Sequence, residues 1–260
     1  SALLVFKNNT LYRIYSTQET EPDPKIHIGT YSGRSIVKTP QGIFFHHPTG
    51  IYRYSEGNVQ EISRPVSDFI KNVTVTNYSK VCGWKDDDHI YWSIGSVTIG
   101  QKSYSNVVLR YTLSSQVWTI YETPNQIRCA SDYNDGTTLY RLVGDADGNV
   151  LKFNSGFTDN GTPISYSLVI GPKTLDGLWS TRKNISKISF LTTSPVTTVS
   201  YRVDDEYDNV WHDLGQTDTQ LKTVDIKGNK IWFRFNGSNS GQQISIKGLE
   251  IFEATNELIG

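Results

Sequence analysis

Apolar and aromatic positions come in short alternating runs up to residue 161, and clusters of turn-forming residues separate the runs. One unit recurs four times: an aromatic strand, a turn, and a second strand containing Tyr-Arg or an equivalent pair. The four copies span residues 3–15, 42–54, 90–111 and 139–153. They repeat about every 40 to 50 residues, which is the period of four-stranded β-propeller blades. The pattern predicts propeller blades made of antiparallel strands.

Two of the copies have additional strand patterns on both sides. Residues 35–38 and 59–62 flank the second copy, and residues 80–84 and 117–121 flank the third. Alternation and turn chemistry therefore predict two complete blades. The first copy has no preceding strand and the fourth has no clear last strand. Because proteins normally avoid exposed sheet edges, we expect the missing blades to lie upstream in a longer chain or in another subunit.

The repeat stops at a cluster of turn formers, residues 158–163, and a different series of alternating strands follows. We therefore expect an all-β protein with two domains: propeller blades in residues 1–161, as part of a larger propeller, and an antiparallel β-sandwich in residues 162–260. A single short helix is expected at residues 64–71, where Pro65 lies near a first turn. The sandwich strands are predicted at residues 164–170, 185–191, 197–203, 220–226, 230–235 and 243–252. Their inward side chains are predicted to be Ile188, Phe190, Val199, Tyr201, Ile231, Phe233 and Phe235.

Composition supports strands and limits the partners. The 260 residues include 15 Tyr, 10 Phe and 6 Trp but no Met, and aromatic residues favour strands. The formal net charge is -1, so we expect no tight nucleic-acid binding. No apolar run approaches the roughly 20 residues that span a bilayer, and we expect no membrane insertion. Cys82 and Cys129 fall in no CxxC pattern and are interpreted as buried free thiols.

A short acidic run resembles part of a calcium loop. Asp145, Asp147 and Asn149 alternate around a glycine, and such oxygen ligands can wrap a hard cation. The later Glu of an EF-hand is missing, and Lys152 intrudes. The alternative is a hairpin turn inside a blade, where residues that tolerate positive φ are required. The turn is the preferred interpretation, and no cofactor is expected.

Two further clusters contain imidazole groups. Residues 86–89 place three aspartates before His89, which could serve metal binding or acid–base chemistry, but a charged run between two strands is typical of a solvated hairpin tip. His46 and His47 are adjacent, so on a strand they point to opposite faces and cannot readily chelate one ion. Both clusters are therefore interpreted as ordinary parts of hairpins.

Catalytic patterns are weak. Propeller glycosidases use two or three carboxylates at the axial mouth, and Asp132, Asp68 and Glu61 are the available acids, but they do not recur at one blade position. The sequence has no sialidase-type Ser-x-Asp box, no Gly-x-Ser-x-Gly nucleophile elbow and no phosphate-binding glycine loop. We expect a protein that is not an enzyme.

Three aromatic residues could stack on sugar rings: Trp179, Trp211 and Tyr207. They would give the C-terminal domain a carbohydrate-binding site. The preferred interpretation is instead that Trp211 caps the sandwich core, as aromatic residues of such domains usually do.

Several segments resemble structural proteins of tailed bacteriophages. Residues 40–45 with 50–54, and residues 107–118, look like their propeller blades. Residues 179–183 with 185–190, then 201–205 and 211–215, are similar to the β-sandwich that follows such propellers. Tail nozzle, stabilisation and neck proteins share these diffuse features.

The resemblance implies a component of the phage tail, nozzle or neck that assembles into a ring through contacts with copies of itself and with other virion proteins. It would be assembled in the host bacterial cytoplasm and reside in the virion. The alternatives are an adhesin that binds a host-surface glycan and, after that, a propeller glycosidase.

Overall fold

The chain is almost entirely β-structure, in agreement with the sequence. The computed structural model describes residues 3–15, 26–156, 158–159, 161–173, 182–192, 197–203, 210–216, 221–239 and 246–257. The chain divides into two compact units, Ser1–Ser155 and Gly156–Gly260.

The first unit contains four antiparallel sheets that follow one another along the chain, and in each sheet the strands pair in sequence order. Sheet 1 has two strands, β1 (Leu3–Phe6) and β2 (Leu11–Ile14). Sheet 2 has four strands: β3 (Val37–Thr39), β4 (Gly42–His47), β5 (Gly50–Ser55) and β6 (Asn58–Glu61).

Sheets 3 and 4 repeat this arrangement. Sheet 3 consists of β7 (Cys82–Lys85), β8 (His89–Ile99), β9 (Lys102–Thr112) and β10 (Trp118–Glu122). Sheet 4 consists of β11 (Ile127–Asn134), β12 (Leu139–Asp145) and β13 (Val150–Lys152). The strands predicted around the second and third copies of the repeat are confirmed.

Two local expectations for the first unit need correction. The connection between β8 and β9 is a long hairpin in which Val97 pairs with Tyr104 and Ile99 with Lys102, so the strands continue through the part of the third copy that the repeat pattern assigns to the connection. A helix does form at the expected place as α1 (Ser67–Lys71), after a 3-10 turn, but a second one follows it, α2 (Val75–Tyr78). The sequence did not predict α2 because its single turn lacks apolar periodicity.

Successive sheets of the first unit pack face against face. Phe45 of sheet 2 meets Phe6 of sheet 1, with ring centroids 5.0 Å apart. The neighbouring residue Phe44 points to the other side of sheet 2 and lies 6.2 Å from Tyr111 of sheet 3. Adjacent residues of a strand point to opposite faces, so β4 is buried on both sides.

Sheet 3 is likewise covered on both faces. Trp92 and Leu109 belong to the core shared with sheet 2 and with α1. Tyr91 points the other way and contacts Phe153, which follows β13 of sheet 4, at 4.9 Å. Val143 of sheet 4 belongs to the same core as Tyr91. The four sheets therefore form one continuous series, each packed on the next.

Within its described residues, the second unit contains two antiparallel sheets. Its strands are β14 (Thr158–Asp159), β15 (Thr162–Lys173), β16 (Arg182–Thr192), β17 (Thr198–Val203), β18 (His212–Gln216), β19 (Lys222–Gly228), β20 (Ile231–Asn239) and β21 (Ile246–Glu257). One sheet has the order β14-β15-β20-β17-β18, and the other has the order β19-β16-β21.

One core joins the two sheets of this unit. Phe190 of β16 lies 5.8 Å from Phe235 of β20 in an edge-to-face contact. All seven residues predicted for this core belong to it or pack against it. Residues 236–239 lie beyond the strand predicted at residues 230–235, but they continue β20 and pair with β15. The short strand β18 was not predicted.

Candidate functional site

The possible calcium ligands form a hairpin turn between β12 and β13. The Asp145 carboxylate accepts hydrogen bonds from the backbone N–H groups of Asp147 and Asn149 at 3.0 and 2.8 Å, and from the side-chain amide of Asn149 at 2.9 Å. The Asn125 amide donates a further hydrogen bond at 3.0 Å. These bonds, with that of the Asn149 side chain as the largest contribution, lower the pKa of Asp145 to about 2. The Asp145 carboxylate holds the turn together, and Asp147 is exposed.

The acidic run before His89 also stabilises a hairpin turn, the one between β7 and β8. Asp86 accepts hydrogen bonds from the Tyr91 hydroxyl at 2.6 Å and from the backbone N–H of His89 at 2.8 Å, and it lies 2.8 Å from His89 Nδ1. Desolvation alone would raise the pKa of Asp86, but the hydrogen bonds from Tyr91 and His89 outweigh it and leave the pKa lowered. Asp88 accepts hydrogen bonds from the backbone and hydroxyl of Ser114 at 3.1 and 2.6 Å.

The two adjacent histidines differ strongly. His46 is completely buried, and among the residues that the structure describes neither of its ring nitrogens has a hydrogen-bond partner. Desolvation, followed by the neighbouring His47, lowers the pKa of His46 to about 3, so its imidazole is neutral. His47 bonds to Thr49 at 2.7 Å and contacts Asn9 at 3.3 Å. The sequence correctly placed the two rings on opposite faces but did not reveal the burial of His46.

The two cysteines are free, as predicted, but only one is buried. Burial raises the pKa of the Cys82 thiol to about 11. Cys129 is exposed, which corrects the expectation of two buried thiols. It follows a β-bulge in β11 and pairs with Gly144, so its side chain points away from sheet 3.

The three carboxylates considered for glycosidase chemistry lie on different elements. Asp132 on β11 accepts two hydrogen bonds from the Arg141 guanidinium, at 2.7 and 3.1 Å, and Arg141 is the main cause of its lowered pKa. Glu61 ends β6 and accepts a hydrogen bond from Ser63 at 3.2 Å. Asp68 lies in the first turn of α1. In the part of the chain that the structure describes, no three His, Cys, Asp or Glu residues are grouped so that they could hold a metal ion.

The glycan candidates can be followed only in part, because Trp179 and Tyr207 lie outside the described residues. Trp211 is half-buried and stacks with two arginines: the Arg234 guanidinium lies 4.4 Å from its ring centroid and that of Arg202 lies 5.4 Å away. Arg202 also lies 4.5 Å from the Trp232 ring. We call Trp232, Arg202, Trp211 and Arg234 the Trp–Arg layer.

The Trp–Arg layer lies on the outer face of its sheet. Arg202 and Arg234 alternate with Tyr201, Phe233 and Phe235, whose side chains pack in the core. Trp211 therefore covers the surface opposite the core, and the preferred interpretation that it caps the core does not hold. Cation–π contacts of this kind contribute about 0.5–1 kcal/mol at exposed sites. The sequence feature that could have revealed the Trp–Arg layer is the alternation of Trp232 and Arg234 with core residues on β20.

Both ends of the sheet series in the first unit present apolar faces. We call the face of a sheet that points to the next sheet along the chain its forward face, and the opposite one its backward face. For sheet 4, the forward face is the one that points away from sheet 3. The backward face of sheet 1 carries Leu3, Val5, Tyr12 and Ile14, because Phe6 and Leu11 point to sheet 2. Leu3 is 63% exposed, and Val5, Tyr12 and Ile14 are half-buried. None of the four belongs to a core cluster of the described residues.

The forward face of sheet 4 is the other end. Tyr133 pairs with Tyr140, and Leu142 with Lys152, on the side opposite Val143. Val143 packs in the core shared with sheet 3, so the forward face points away from it. Tyr133 is 54% exposed and Val150 is 72% exposed. These two faces are the candidate contact surfaces at the ends of the sheet series.

No protein-family model matches the chain, and no curated protein sequence shows significant similarity to it. Among the helices within the described ranges, none has the length and apolar character needed to cross a bilayer. The candidate surfaces are therefore identified from the geometry of this chain alone, without a relative for comparison.

Proposed function

We propose that this chain is a structural component of a tailed-bacteriophage virion, in the tail, nozzle or neck, and that it assembles into a ring with copies of itself and other virion proteins. In this proposal the first unit is an arc of β-propeller blades and the second unit is a β-sandwich. The protein acts through assembly, without catalysis and without a cofactor.

The observation that carries the proposal is the open series of sheets. Sheets 2 and 3 are each packed on both faces, whereas sheets 1 and 4 each present an apolar face at an end of the series. Exposed apolar patches rimmed by polar residues are typical of protein–protein contact sites. A series that ends this way is suited to building a larger assembly from repeated contacts.

Propeller geometry is supported by the proximity of the first strands of sheets 2, 3 and 4 to one another. β7 contacts both β3 and β11, so the first strands of sheets 2, 3 and 4 lie side by side. Between sheets 2 and 3, α1 packs against β5 and β8 and contributes Ile70 to their common core. Sheets that converge at one edge and are wedged apart further out radiate like blades.

The sandwich assignment is supported by the core of the second unit. Residues of β16 and β19 from one sheet and of β17 and β20 from the other share this core, as in two-sheet domains packed face to face. The net charge of -1 suits a lumen through which DNA passes without tight binding.

The non-enzymatic proposal is supported by the contacts of three described aspartates. Asp86 and Asp145 hold hairpin turns, and Asp132 is paired with Arg141. A carboxylate engaged in this way is not poised for proton transfer at neutral pH.

Light scattering of the 260-residue chain tests the proposal. We expect a closed oligomer with a mass that is an integer multiple of 29.3 kDa and that stays constant over a tenfold range of concentration. A monomer at all concentrations would overturn the proposal.

A host-surface adhesin is the second candidate, and the Trp–Arg layer favours it. Tryptophan rings stack on sugars, and arginines bind carboxylated or sulfated ones. A glycan array tests this candidate. It requires binding that Trp211→Ala abolishes and that Phe252→Ala, an exposed aromatic of the same unit, leaves unchanged; an array without binding removes it.

A further inference from the structure

The register of the strands identifies what the backward face of sheet 1 is built to contact. In sheet 2, Phe45 pairs with Tyr52, and Phe45 is the residue that packs on sheet 1. In sheet 1, Val5 pairs with Tyr12 at the same position of the hairpin. In both sheets, an apolar residue on the backward face pairs with a tyrosine. Val5 and Tyr12 therefore occupy the position at which a preceding sheet would pack.

The opposite end offers the matching surface. In sheet 4, Val143 pairs with Leu151, and both pack toward sheet 3. The alternating residues Tyr140 and Leu142 point forward, and Tyr140 stacks with Tyr133 at a centroid distance of 6.4 Å. A forward face with aromatic rings is also what sheet 3 presents to sheet 4, through Trp84 and Tyr91.

The charges on the two faces permit close packing. Leu3, Val5, Tyr12 and Ile14 carry no charge. The Lys7 ammonium lies 5.1 Å from the centroid of the Tyr12 ring, and an interface can keep this cation–π contact. On the forward face, Lys152 lies 3.9 Å from the centroid of the Tyr140 ring and can keep this cation–π contact in an interface.

We propose that the forward face of sheet 4 in one copy of the chain packs against the backward face of sheet 1 in the next copy. The partner is a second copy because the two open faces are the two opposite ends of one series, and joining them continues the packing already present between sheets 1 and 4. Such a contact is head-to-tail, and head-to-tail contacts form rings when the rotation closes. The inference rests on the proposed ring assembly and assigns the surfaces that make it.

Two blocked variants test the inference by light scattering. The forward-blocked variant carries Tyr133→Glu and Val150→Glu, and the backward-blocked variant carries Leu3→Glu and Tyr12→Glu. Each should be a folded monomer, because every contact in a head-to-tail ring needs one face of each kind. A control with Val75→Glu and Val117→Glu, which are exposed elsewhere in the first unit, should keep the wild-type mass. Circular dichroism and thermal unfolding verify that all variants are folded.

Mixing the two blocked variants is the most discriminating test of the head-to-tail contact. Each retains the face that the other lacks, so the mixture should form a 1:1 dimer and grow no further. If wild type assembles but the blocked variants keep its mass, or if either variant forms homodimers, the inference is wrong while the proposed ring assembly stands. If wild type is a monomer, the proposed function itself falls.

Discussion

His46 shows how strongly one buried side chain can couple folding to pH. It lies on β4, whose two faces are covered by sheets 1 and 3, and its ring nitrogens have no hydrogen-bond partner among the described residues. Protonation in place would bury an unpaired charge, which is costly. The folded protein therefore keeps the ring neutral down to a pKa of about 3.

We predict that acid destabilises the protein through His46. The unfolded imidazole, with a pKa near 6.5, takes up a proton first as the pH falls, so the stability is fully present above about pH 6.5 and is lost toward pH 3. The loss should approach about 1.4 kcal/mol per pH unit in the middle of this window. Urea unfolding at pH 7, 6 and 5 measures it. His46→Leu should flatten the dependence, and His27→Gln, at an exposed position, should not.

Substitutions of Asp145 and Asp147 distinguish a hairpin turn from a calcium site. We predict that Asp145→Ala lowers the thermal midpoint, because four hydrogen bonds to its carboxylate are lost. Asp147→Ala should leave the midpoint unchanged, and millimolar CaCl2 should not raise that of wild type. A calcium-dependent rise that both substitutions abolish would contradict the turn interpretation.

At the scale of elements, the aromatic contacts between sheets hold the series together. We predict that Phe44→Ala destabilises the first unit by about 3–5 kcal/mol, the usual cost of truncating a buried phenylalanine. Phe44 is fully buried between sheets 2 and 3. Val117→Ala, at an exposed position of the same unit, should cost less than about 0.5 kcal/mol. Urea unfolding compares the two, and equal losses would show that the packing of the sheets contributes little.

The long hairpin of β8 and β9 shows why element boundaries were harder to predict than elements. Gly95 lies at a break in the register with φ +83°, and a Cβ there would come within 2.7 Å of the Asn77 amide nitrogen. The approach of Asn77, from α2, is a tertiary contact. Local alternation therefore predicted the two strands but not their extension beyond residue 94.

At the scale of the whole molecule, each unit has cores of its own. We predict that Phe233→Ala, which truncates a buried residue of the second unit, destabilises that unit by about 3–5 kcal/mol. Hydrogen exchange should speed up in β16, β17 and β20, while amides of sheets 2 and 3 remain as protected as in wild type. Phe252→Ala, at a 57% exposed position, serves as the control. Faster exchange in both units would mean that they unfold together.

The prediction of sites from sequence succeeded where it depended on neighbours along the chain. Asp86 and Asp145 were correctly assigned to hairpins, because their carboxylates bind groups two to five positions along the chain, as in most turns. Prediction failed for Cys129 and for the preferred core-capping role of Trp211. A bulge in β11 determines where Cys129 points, and the pairing of β17 with β18 and β20 brings Trp211 to the arginines of the outer face.

The alternation of apolar and polar residues by itself determined most of the strands, their antiparallel pairing in hairpins and the inward residues of the second unit. These features follow from the two-residue period of a strand and from turn chemistry, which are both local. Only the tertiary structure decided which faces are covered. Phe44 and Phe45 are buried on opposite sides of one strand, while Tyr133 and Val150 remain exposed at the end of the series. That distinction depends on which sheets follow one another in space, and no local pattern encodes it.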